Sequence, residues 1–268
     1  MNKNTVKPFL KWAGGKKALL AQILKYIPET YNKYYEPFLG SGVLFFALKP
    51  KEACLSDLNN ELINTYKQIK FHVNDVINKL KMMKYNKRFY YKIRKQNLRN
   101  ASSRAARFIY LNKTCWNGLY RVNAKNEFNV PIGRYKKPTI CDEKNLKNVS
   151  KVLQKVTIKN GDFTKILKKA TKNDLIYFDP PYTTSHKNDK FIEYNSKIFS
   201  LKDQKRLRRK ITRLNKKGCK IIMSNANHKF IKNLYKDYCI HRVKRRSLIA
   251  ADNENRKKVT ELIITNFK

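Results

Sequence analysis

The sequence predicts an α/β protein built around an open, mostly parallel sheet. Three observations support this fold class. Short apolar runs alternate with segments of helical spacing, a glycine-rich turn follows an early strand, and the run Leu175–Phe178 stops at an Asp-Pro-Pro-Tyr motif, residues 179–182. Because proline supplies no ladder donor and biases its predecessor towards extended backbone, we expect this run to end as a buried strand. The motif then lies at a strand's carboxyl end, where open α/β sheets bind ligands.

The composition predicts a folded chain with a polyanionic partner. Hydrophobic residues make up 41% of the 268, and 61 Lys and Arg against 19 Asp and Glu give a formal charge of +42. The apolar fraction is enough for a real core. Self-repulsion on this scale is easiest to tolerate beside nucleic acid, although codon bias towards Lys and Asn is an alternative source of the excess.

The cysteines and the hydropathy predict a cytoplasmic protein without a metal site. The five cysteines are never in Cys-x-x-Cys spacing, which argues against a disulfide framework or a zinc site. The N-terminus has no long apolar core of a signal peptide, and nowhere do about 18 apolar residues run together. We expect no membrane partner and a monomer in solution.

The first informative segment is residues 9–17, Phe-Leu-Lys-Trp-Ala-Gly-Gly-Lys-Lys, ahead of helical spacing from Ala18 to Tyr26. A Gly-Gly pair before a helix lets backbone N–H groups approach a ligand. The segment is not a P-loop, because its first glycine is missing and alanine follows Lys17. An ordinary turn into a helix is equally compatible with this pattern.

A second segment, residues 34–42, is followed by the apolar stretch from Val43 to Leu48. This is the strand, glycine-rich turn and helix that begin a nucleotide-binding sheet. The third glycine of the dinucleotide fingerprint is absent. The turn therefore favours a ligand that has an adenosine but no phosphates.

Two further acids follow short strands. Asp57 ends the strand from Ala53 to Ser56 and is placed to accept both hydroxyls of a ribose; capping the helix from Glu61 to Lys70 is the alternative role. Asp162 follows the strand Val156 to Ile158, and with Phe163 beside it could hold the edge and face of an adenine. A simple Gly-Asp turn is the alternative there.

The strand and helix alternation is lost between residues 71 and 150, which are rich in Lys, Arg and Tyr. We predict a helix from Arg104 to Asn112 and, after it, a glycine-punctuated stretch over 115–137. Arg, Asn and exposed aromatic residues contact phosphates, read base edges and wedge into a base stack. The prediction is a nucleic-acid recognition subdomain at 71–150, inserted into a catalytic domain of residues 1–70 and 151–268; solvated charged loops are the alternative.

The C-terminal part completes the sheet. We predict a helix from Asp203 to Leu214, a strand from Lys220 to Met223, and two last strands, Ile240 to Ser247 and Val259 to Phe267. A polar loop alone separates these last two strands. They are therefore expected to form an antiparallel hairpin at a sheet edge.

The Asp-Pro-Pro-Tyr motif fits the chemistry of a planar amine. An aromatic amine is a poor nucleophile, because its lone pair is delocalised into the ring. If the Asp179 carboxylate and the Pro180 carbonyl both accept from the amine, its nitrogen can turn towards tetrahedral geometry and aim its lone pair at a methyl donor. Tyr182 offers a face for an extruded base. An isolated copy of the motif could equally be an ordinary turn.

Taken together, the chain resembles the Dam-type DNA adenine methyltransferases of the class alpha amino-methyltransferase family. The matching segments, which span nearly the whole chain, are residues 9–16, 36–42, 117–119, 127–131, 133–138, 179–182 and 256–259. The resemblance implies a Rossmann-like S-adenosylmethionine-dependent methyltransferase sheet with a C-terminal antiparallel hairpin and an inserted helical DNA-recognition subdomain. It implies methyl transfer to the N6 amine of adenine in double-stranded DNA, with GATC as the target, in a nucleoid-associated cytoplasmic enzyme.

The resemblance also assigns residues. Catalysis falls to Asp179, Pro180 and Tyr182. The S-adenosylmethionine contacts are Trp12, Gly14, Lys16, Glu36, Phe38, Gly40, Ser41, Asp57, Asp162, Phe163 and Asp179. The DNA contacts are Lys11, Trp116, Asn117, Leu119, Arg121, Pro131, Arg134 and Tyr135. Trp116 takes the place of an intercalating aromatic that is often tyrosine in the family, and it enlarges the stacking face.

Two alternatives remain open at the level of sequence. Related motifs serve other planar amines, so the chain could be an RNA or protein amino-methyltransferase. It could also be a catalytically inactive, DNA-binding relative. A role in mismatch repair, in restriction protection or in a phage or mobile element is not distinguished by the sequence.

Overall fold

The fold is a mixed α/β architecture around one sheet. A computed structural model describes residues 6–182, 199–246 and 258–268, and within them the strand order is β3-β2-β1-β4-β5-β7-β6. The strands are β1 Tyr34–Glu36, β2 Ala53–Asp57, β3 Val156–Asn160, β4 Leu175–Phe178, β5 Lys220–Ala226, β6 Cys239–Arg246 and β7 Lys258–Thr265. This confirms the predicted Rossmann-like fold class.

Ten α-helices lie in the described residues. They are α1 Leu20–Leu24, α2 Val43–Leu48, α3 Asn60–Phe71, α4 Val73–Lys81, α5 Lys87–Lys95, α6 Ala101–Thr114, α7 Glu143–Leu153, α8 Phe163–Ile166, α9 Leu201–Lys216 and α10 Lys229–Leu234. Short 3-10 turns occupy Lys16–Leu19, Trp116–Gly118 and Leu167–Lys169. Within the same residues, every helix is too short or too polar to span a bilayer.

The centre of the sheet is parallel and its C-terminal edge is antiparallel. Strand β1 pairs with β2 and β4, and β4 pairs with β5, all in parallel. All four residues of β4 are buried, as expected of a strand covered on both faces. Strand β7 runs antiparallel between β5 and β6, which confirms the predicted hairpin. Its insertion distinguishes the order from the 3-2-1-4-5-6 order of dinucleotide-binding sheets.

The chain divides into two compact units. Unit 1 consists of Met1–Gly15, Leu39–Lys49 and Ser56–Gly161, so it contains the whole segment 71–150. Unit 2 consists of Lys16–Phe38, Pro50–Leu55 and Asp162–Lys268.

Unit 1 is held together by helix packing. Helix α3 packs against α6 and α7, and α4 also packs against α6. Both long helices begin at an asparagine cap: Asn59 accepts from the Leu62 N–H at 2.9 Å, and Asn100 accepts from the Ser103 N–H at 2.9 Å. The second cap explains why α6 begins three residues before the predicted start at Arg104.

Unit 2 has its core between α9 and the sheet. The apolar face of α9, with Leu207 and Ile211, joins one buried cluster with Ile221 and Met223 of β5. A capping box of Ser200 and Asp203 starts this helix. Helix α9 is therefore fixed at its first turn and along its buried face.

Two more predicted elements differ from the structure at their ends. The helix expected over 18–26 is a 3-10 turn followed by the five-residue α1, whose preceding residue, Leu19, offers no capping side chain. Strand β5 continues to Ala226, because its last residues pair with β7. Residues 183–190, a polar stretch that follows the motif, and most of the predicted polar loop at 250–258 lie outside the described residues, as does Ser247.

Candidate active site

The Asp-Pro-Pro-Tyr motif follows directly on β4, within unit 2. Pro180 is buried, whereas the Asp179 side chain keeps 20% of its surface exposed. The Lys16 ammonium lies 2.8 Å from Asp179 Oδ1 and 3.9 Å from Glu261 Oε2. Lys16, which the sequence assigns to the methyl donor, is thus buried beside the catalytic candidate, and its charge lies close to two carboxylates.

Tyr182 is held by the same group of charges. Its hydroxyl donates a hydrogen bond to the Glu261 carboxylate, and the Lys16 ammonium lies 4.8 Å from the centre of its ring. Burial and the negative charge of Glu261 raise the pKa of Tyr182 well above its usual range. The phenol therefore stays protonated and remains a donor, so its ring is fixed at both its edge and its face.

Sequence reasoning did not identify Glu261. It lies on β7, paired in register with Ala226 of β5 and Val243 of β6, and only 3% of it is exposed. A buried carboxylate is costly unless it is paired and hydrogen-bonded. The sequence did contain a signal for this residue. Glu261 and Ile263 are two residues apart and therefore lie on the same face of the predicted strand, so one acid interrupts an apolar pattern.

The ionisation of Asp179 follows from these neighbours. Burial raises the pKa of its carboxyl group from 3.8 to about 6, the Lys16 ammonium opposes this, and the Glu261 carboxylate adds to it. Burial therefore outweighs the ion pair. The group is a carboxylate at neutral pH but gains a proton under mildly acidic conditions.

Four more residues assigned to the methyl donor form part of unit 2. The Phe38 and Phe163 rings stack at 5.4 Å, and both contact Phe199. Glu36 is buried and accepts from the Tyr34 hydroxyl at 2.8 Å. Asp162 caps α8.

Arg206 is a neighbour of this group that the sequence did not reveal. Its guanidinium lies 2.7 Å from Asp162 Oδ2 and 4.6 Å from the centre of the Phe163 ring. Although burial opposes it, hydrogen bonds from Thr164 and Arg206 lower the pKa of Asp162. Asp162 is thus an ionised acceptor. Its Oδ1 accepts from Thr164 in the first turn of α8, and its Oδ2 accepts from Arg206.

The remaining residues assigned to the donor lie in unit 1. Asp57 Oδ2 accepts from the Gly40 N–H at 3.0 Å, and its Oδ1 accepts from the Asn59 N–H at 2.9 Å. Burial raises the pKa of Asp57, and the backbone hydrogen bonds oppose this. Gly40 has a φ of +47°, and a Cβ there would meet Trp12 Cδ1 at 2.7 Å. This turn accordingly requires glycine. Ser41 is buried, and Gly14 is exposed.

The residues assigned to DNA form one surface of unit 1, built on two antiparallel segments. Bridges join Cys115 to Ile132 and Val122 to Phe128. The Trp116 N–H donates to the Pro131 carbonyl at 2.9 Å, while 49% of the Trp116 side chain is exposed. The exposed members are Lys11, Trp116, Asn117, Arg121, Pro131 and Arg134, and the half-buried ones are Leu119 and Tyr135.

Asn112, which sequence reasoning also missed, connects this surface to α6. Its side-chain oxygen accepts from the Lys11 N–H at 2.8 Å, and its amide nitrogen donates to the carbonyls of Lys11, at 2.7 Å, and Gly118, at 3.2 Å. The Lys11 ammonium then donates to the Tyr135 hydroxyl at 3.0 Å. One buried amide therefore fixes the backbone of two separate chain segments.

Arg121 is restrained from one side only. Its Nε donates to Asn129 Oδ1 at 2.8 Å, and its carbonyl accepts from the Asn129 N–H at 3.1 Å. The side chain is exposed. Among the described residues its two terminal nitrogens have no partner. A guanidinium oriented in this way can donate two parallel hydrogen bonds outwards.

Comparisons with known proteins identify the family of the chain. Residues 12–249 match the model of the D12 class N6 adenine-specific DNA methyltransferases. The chain is 41% identical to the type II methyltransferase M1.LlaDCHI of Lactococcus lactis subsp. cremoris, over 99% of this chain and 97% of that protein. It is 42% identical to the type II methyltransferase M.MjaIII of Methanocaldococcus jannaschii, over 98% and 99%. It is 36% identical to the DNA adenine methylase of Haemophilus influenzae, over 96% and 92%.

The charges around Asp179 make a testable prediction about its titration. We expect its carboxyl group to titrate near pH 6, with Lys16→Met raising the pKa, because the cation is lost, and Glu261→Gln lowering it, because the repulsion is lost. Carbon-13 NMR of labelled carboxyl groups measures each value, and Asp179→Asn identifies the resonance. The exposed neighbour Lys17 supplies the matched control, since Lys17→Met should leave the value unchanged. A lower pKa in Lys16→Met would contradict the assignment of charges.

Proposed function

Because the chain belongs to the D12 class of N6 adenine-specific DNA methyltransferases, we propose that it transfers a methyl group from S-adenosylmethionine to the N6 amine of a flipped adenine within GATC. One observation carries this proposal. The buried strand β4 ends at a proline-fixed carboxylate that is paired with Lys16. Beside it lies an aromatic ring that is anchored by Glu261.

The proposed role of Asp179 and Pro180 is to accept hydrogen bonds from the target amine. Two fixed acceptors favour a nitrogen that becomes tetrahedral and gains positive charge, and they need no reorganisation when that charge develops. The Lys16 ammonium already pairs with Asp179, with its nitrogen 2.8 Å from Oδ1. An incoming amine therefore competes with Lys16, for which Glu261, 3.9 Å away, offers a second carboxylate.

The proposed role of Tyr182 is to stack on the extruded base. An extruded base gives up its neighbours in the duplex, and an aromatic face replaces part of that stacking. The bond to Glu261 fixes the direction of the Tyr182 ring. Glu261 would therefore act on the base only through this tyrosine, as a positioning residue.

S-adenosylmethionine would supply the electrophilic methyl group, and the residues present fit its adenosine part. In unit 1, both Asp57 oxygens are oriented by backbone N–H groups and keep acceptor capacity for ribose hydroxyls. In unit 2, Asp162 and the stacked rings of Phe38 and Phe163 suit the edge and face of an adenine. An adenine amino group would have to replace the Arg206 guanidinium at Asp162 Oδ2.

The proposed GATC specificity rests on the resemblance over residues 117–138 and on Arg121. A guanidinium that is restrained through Nε keeps two outward donors, which suits the O6 and N7 acceptors of guanine. Exposed Trp116 provides the face that would fill the stack after the adenine leaves it.

The first prediction of this proposal concerns Asp179. We expect Asp179→Ala to abolish methyl transfer, a loss of at least the roughly 10²–10³-fold that removal of one fixed charge-stabilising group causes in other enzymes. Isothermal titration should show that binding of S-adenosylmethionine is largely intact, because the other assigned contacts remain. Asp179→Asn retains the shape and one acceptor oxygen, so it should keep part of the rate. A purified Asp179→Ala variant with near-normal turnover would refute the catalytic role proposed for Asp179.

A second prediction concerns base readout. Arg121→Ala should reduce discrimination between GATC and a site lacking one guanine by about 1–3 kcal/mol, or roughly 5- to 150-fold in kcat/KM, because a bidentate contact is lost. Steady-state kinetics on the two duplexes measures this ratio. Lys125→Ala, on the exposed turn nearby, serves as the control for a loss of charge alone. If Arg121→Ala weakens all sequences equally, Arg121 contacts only phosphate.

The third prediction tests the proposed reaction as a whole. Expression in a host without DNA methylation should make its DNA resistant to a GATC-cleaving nuclease that methylation blocks, and sensitive to one that requires methylation. Transfer of tritium from labelled S-adenosylmethionine to duplex DNA, RNA or protein identifies the substrate class independently. Label in RNA or protein alone would refute the proposal, and label in DNA without the digestion pattern would refute GATC.

A further inference from the structure

Helix α9 of unit 2 carries an unusual density of positive charge. Its sequence, LKDQKRLRRKITRLNK, contains eight Lys and Arg and a single acid. Four of these cations, Arg206, Arg209, Lys210 and Arg213, follow the helical spacing of three and four residues and therefore share one side of the helix. The stripe is about 10 Å long, given a rise of about 1.5 Å per residue.

The stripe forms one wall of a concave surface. The opposite wall is made by Thr164 of α8 and Lys168 of the 3-10 turn Leu167–Lys169. The six residues line a half-open cavity of about 300 Å³. We call this cavity the α9 basic groove. Since α9, α8 and a 3-10 turn together build it, it is a shaped site and not only a charged helix face.

Packing does not account for these cations. The face of α9 that enters the core is formed by Leu207, Ile211 and Leu214 instead. Arg208 of the same helix has a structural role, because it donates to the Leu234 carbonyl at 2.9 Å and to Asp237 at 3.1 Å. Its guanidinium also lies on the Tyr238 ring.

The groove residues have different surroundings from Arg208. Arg206 is paired with Asp162 and Asp203. Within the ranges that the structure describes, no carboxylate lies within 4.0 Å of Arg209, Lys210 or Arg213. Burial lowers the pKa of Lys210, and the cations Lys217, Arg213 and Lys168 lower it further. Of the five cations around this cavity, Arg206 alone has carboxylate partners among the described residues, and Lys168, Arg209, Lys210 and Arg213 have none.

A solvated face of a basic protein is the simplest alternative. Such a face would spread its cations, because each of them gains hydration and loses repulsion by moving apart. The α9 basic groove instead gathers five cations around a cavity and partly buries Arg206 and Lys210. A bound polyanion would remove the repulsion.

We propose that the α9 basic groove binds backbone phosphates of DNA, as a second contact surface formed by elements other than the 115–135 surface of unit 1. The choice of DNA rests on the proposed function. The stripe is about 10 Å long. The phosphates of one DNA strand are spaced about 3.4 Å apart along the axis of the duplex, so the stripe spans about three of these spacings. A site of this kind reads no sequence, and it strengthens binding to all duplexes in a salt-dependent way.

The test compares two doubly substituted chains that carry the same change in charge. Arg209→Gln with Arg213→Gln removes two groove cations, and Lys229→Gln with Lys236→Gln removes two exposed lysines on and after α10. Affinity for a duplex without GATC is measured between about 50 and 200 mM salt. The salt slope is the fall in log affinity per unit of log salt concentration, and two lost phosphate contacts make it shallower by about 1.8. Between the two salt concentrations, the affinity of the groove variant should therefore fall by a factor about ten times smaller than that of the parent.

The outcomes separate the possibilities. A groove variant with a shallower salt slope, beside a control with the parent's slope, supports the proposal; equal slopes in both variants overturn it. Tripolyphosphate supplies a second arm: if it binds the parent and not the groove variant while the DNA slopes agree, the site takes free phosphates and the proposal fails. Thermal melting verifies that both variants are folded. Methyl transfer by the unaltered chain is measured separately, so its absence would refute the proposed function and leave the salt slopes interpretable.

Discussion

The candidate site depends on one buried ammonium shared by two carboxylates. Lys16 is paired with Asp179 and lies near Glu261, so the group keeps one negative charge in excess. Burial is the main reason why the pKa of Asp179 is higher than that of an ordinary aspartate; Lys16 opposes the rise, and Glu261 adds to it. The arrangement requires two features of the sheet: β4 must stop at its prolines, and β7 must pair with β5 in the register that sets Glu261 opposite Ala226. Such a cluster is suited to receive an amine, which can take over donation to Asp179 without a new charge having to be buried.

The parts of this architecture that could be predicted from the sequence are those encoded locally. The apolar run before Asp179 and the glycines before α2 determine their own strand end and turn, so both follow from a few adjacent residues. The position of Glu261 could not be predicted in the same way. It lies 79 residues after Tyr182 in the chain, and only the register of β7 against β5 brings the two together. Arg206 lies beside Asp162 only because α9 packs on the sheet. The short helix near residue 20 was mispredicted because periodicity says nothing about capping.

The surface of unit 1 shows the same division between local and long-range determinants. The Asn-Gly pair at 117 and 118 already indicates a left-handed turn, and both residues have positive φ. What holds the turn against Lys11 is Asn112, whose amide satisfies three backbone groups from inside α6. Buried backbone groups that lose a partner cost about 1–3 kcal/mol each. A rigid base for exposed Trp116 and Arg121 is therefore obtained from one polar residue that the helical pattern alone would assign to the core.

The arginines that we propose as DNA contacts, Arg121 in unit 1 and Arg209 and Arg213 in unit 2, differ in how they are restrained. Sequence readout requires a guanidinium of fixed orientation, and Arg121 is restrained through Nε by Asn129 while its outer nitrogens stay available. Phosphate binding requires only charge at the correct spacing, and Arg209 and Arg213 have no such restraint among the described residues. A fixed guanidinium loses little side-chain entropy on binding, whereas an unrestrained one gains mainly from counterion release. In a protein of charge +42 the number of cations is therefore a poor guide to a specific contact. The residue that orients each cation indicates better whether the contact is specific.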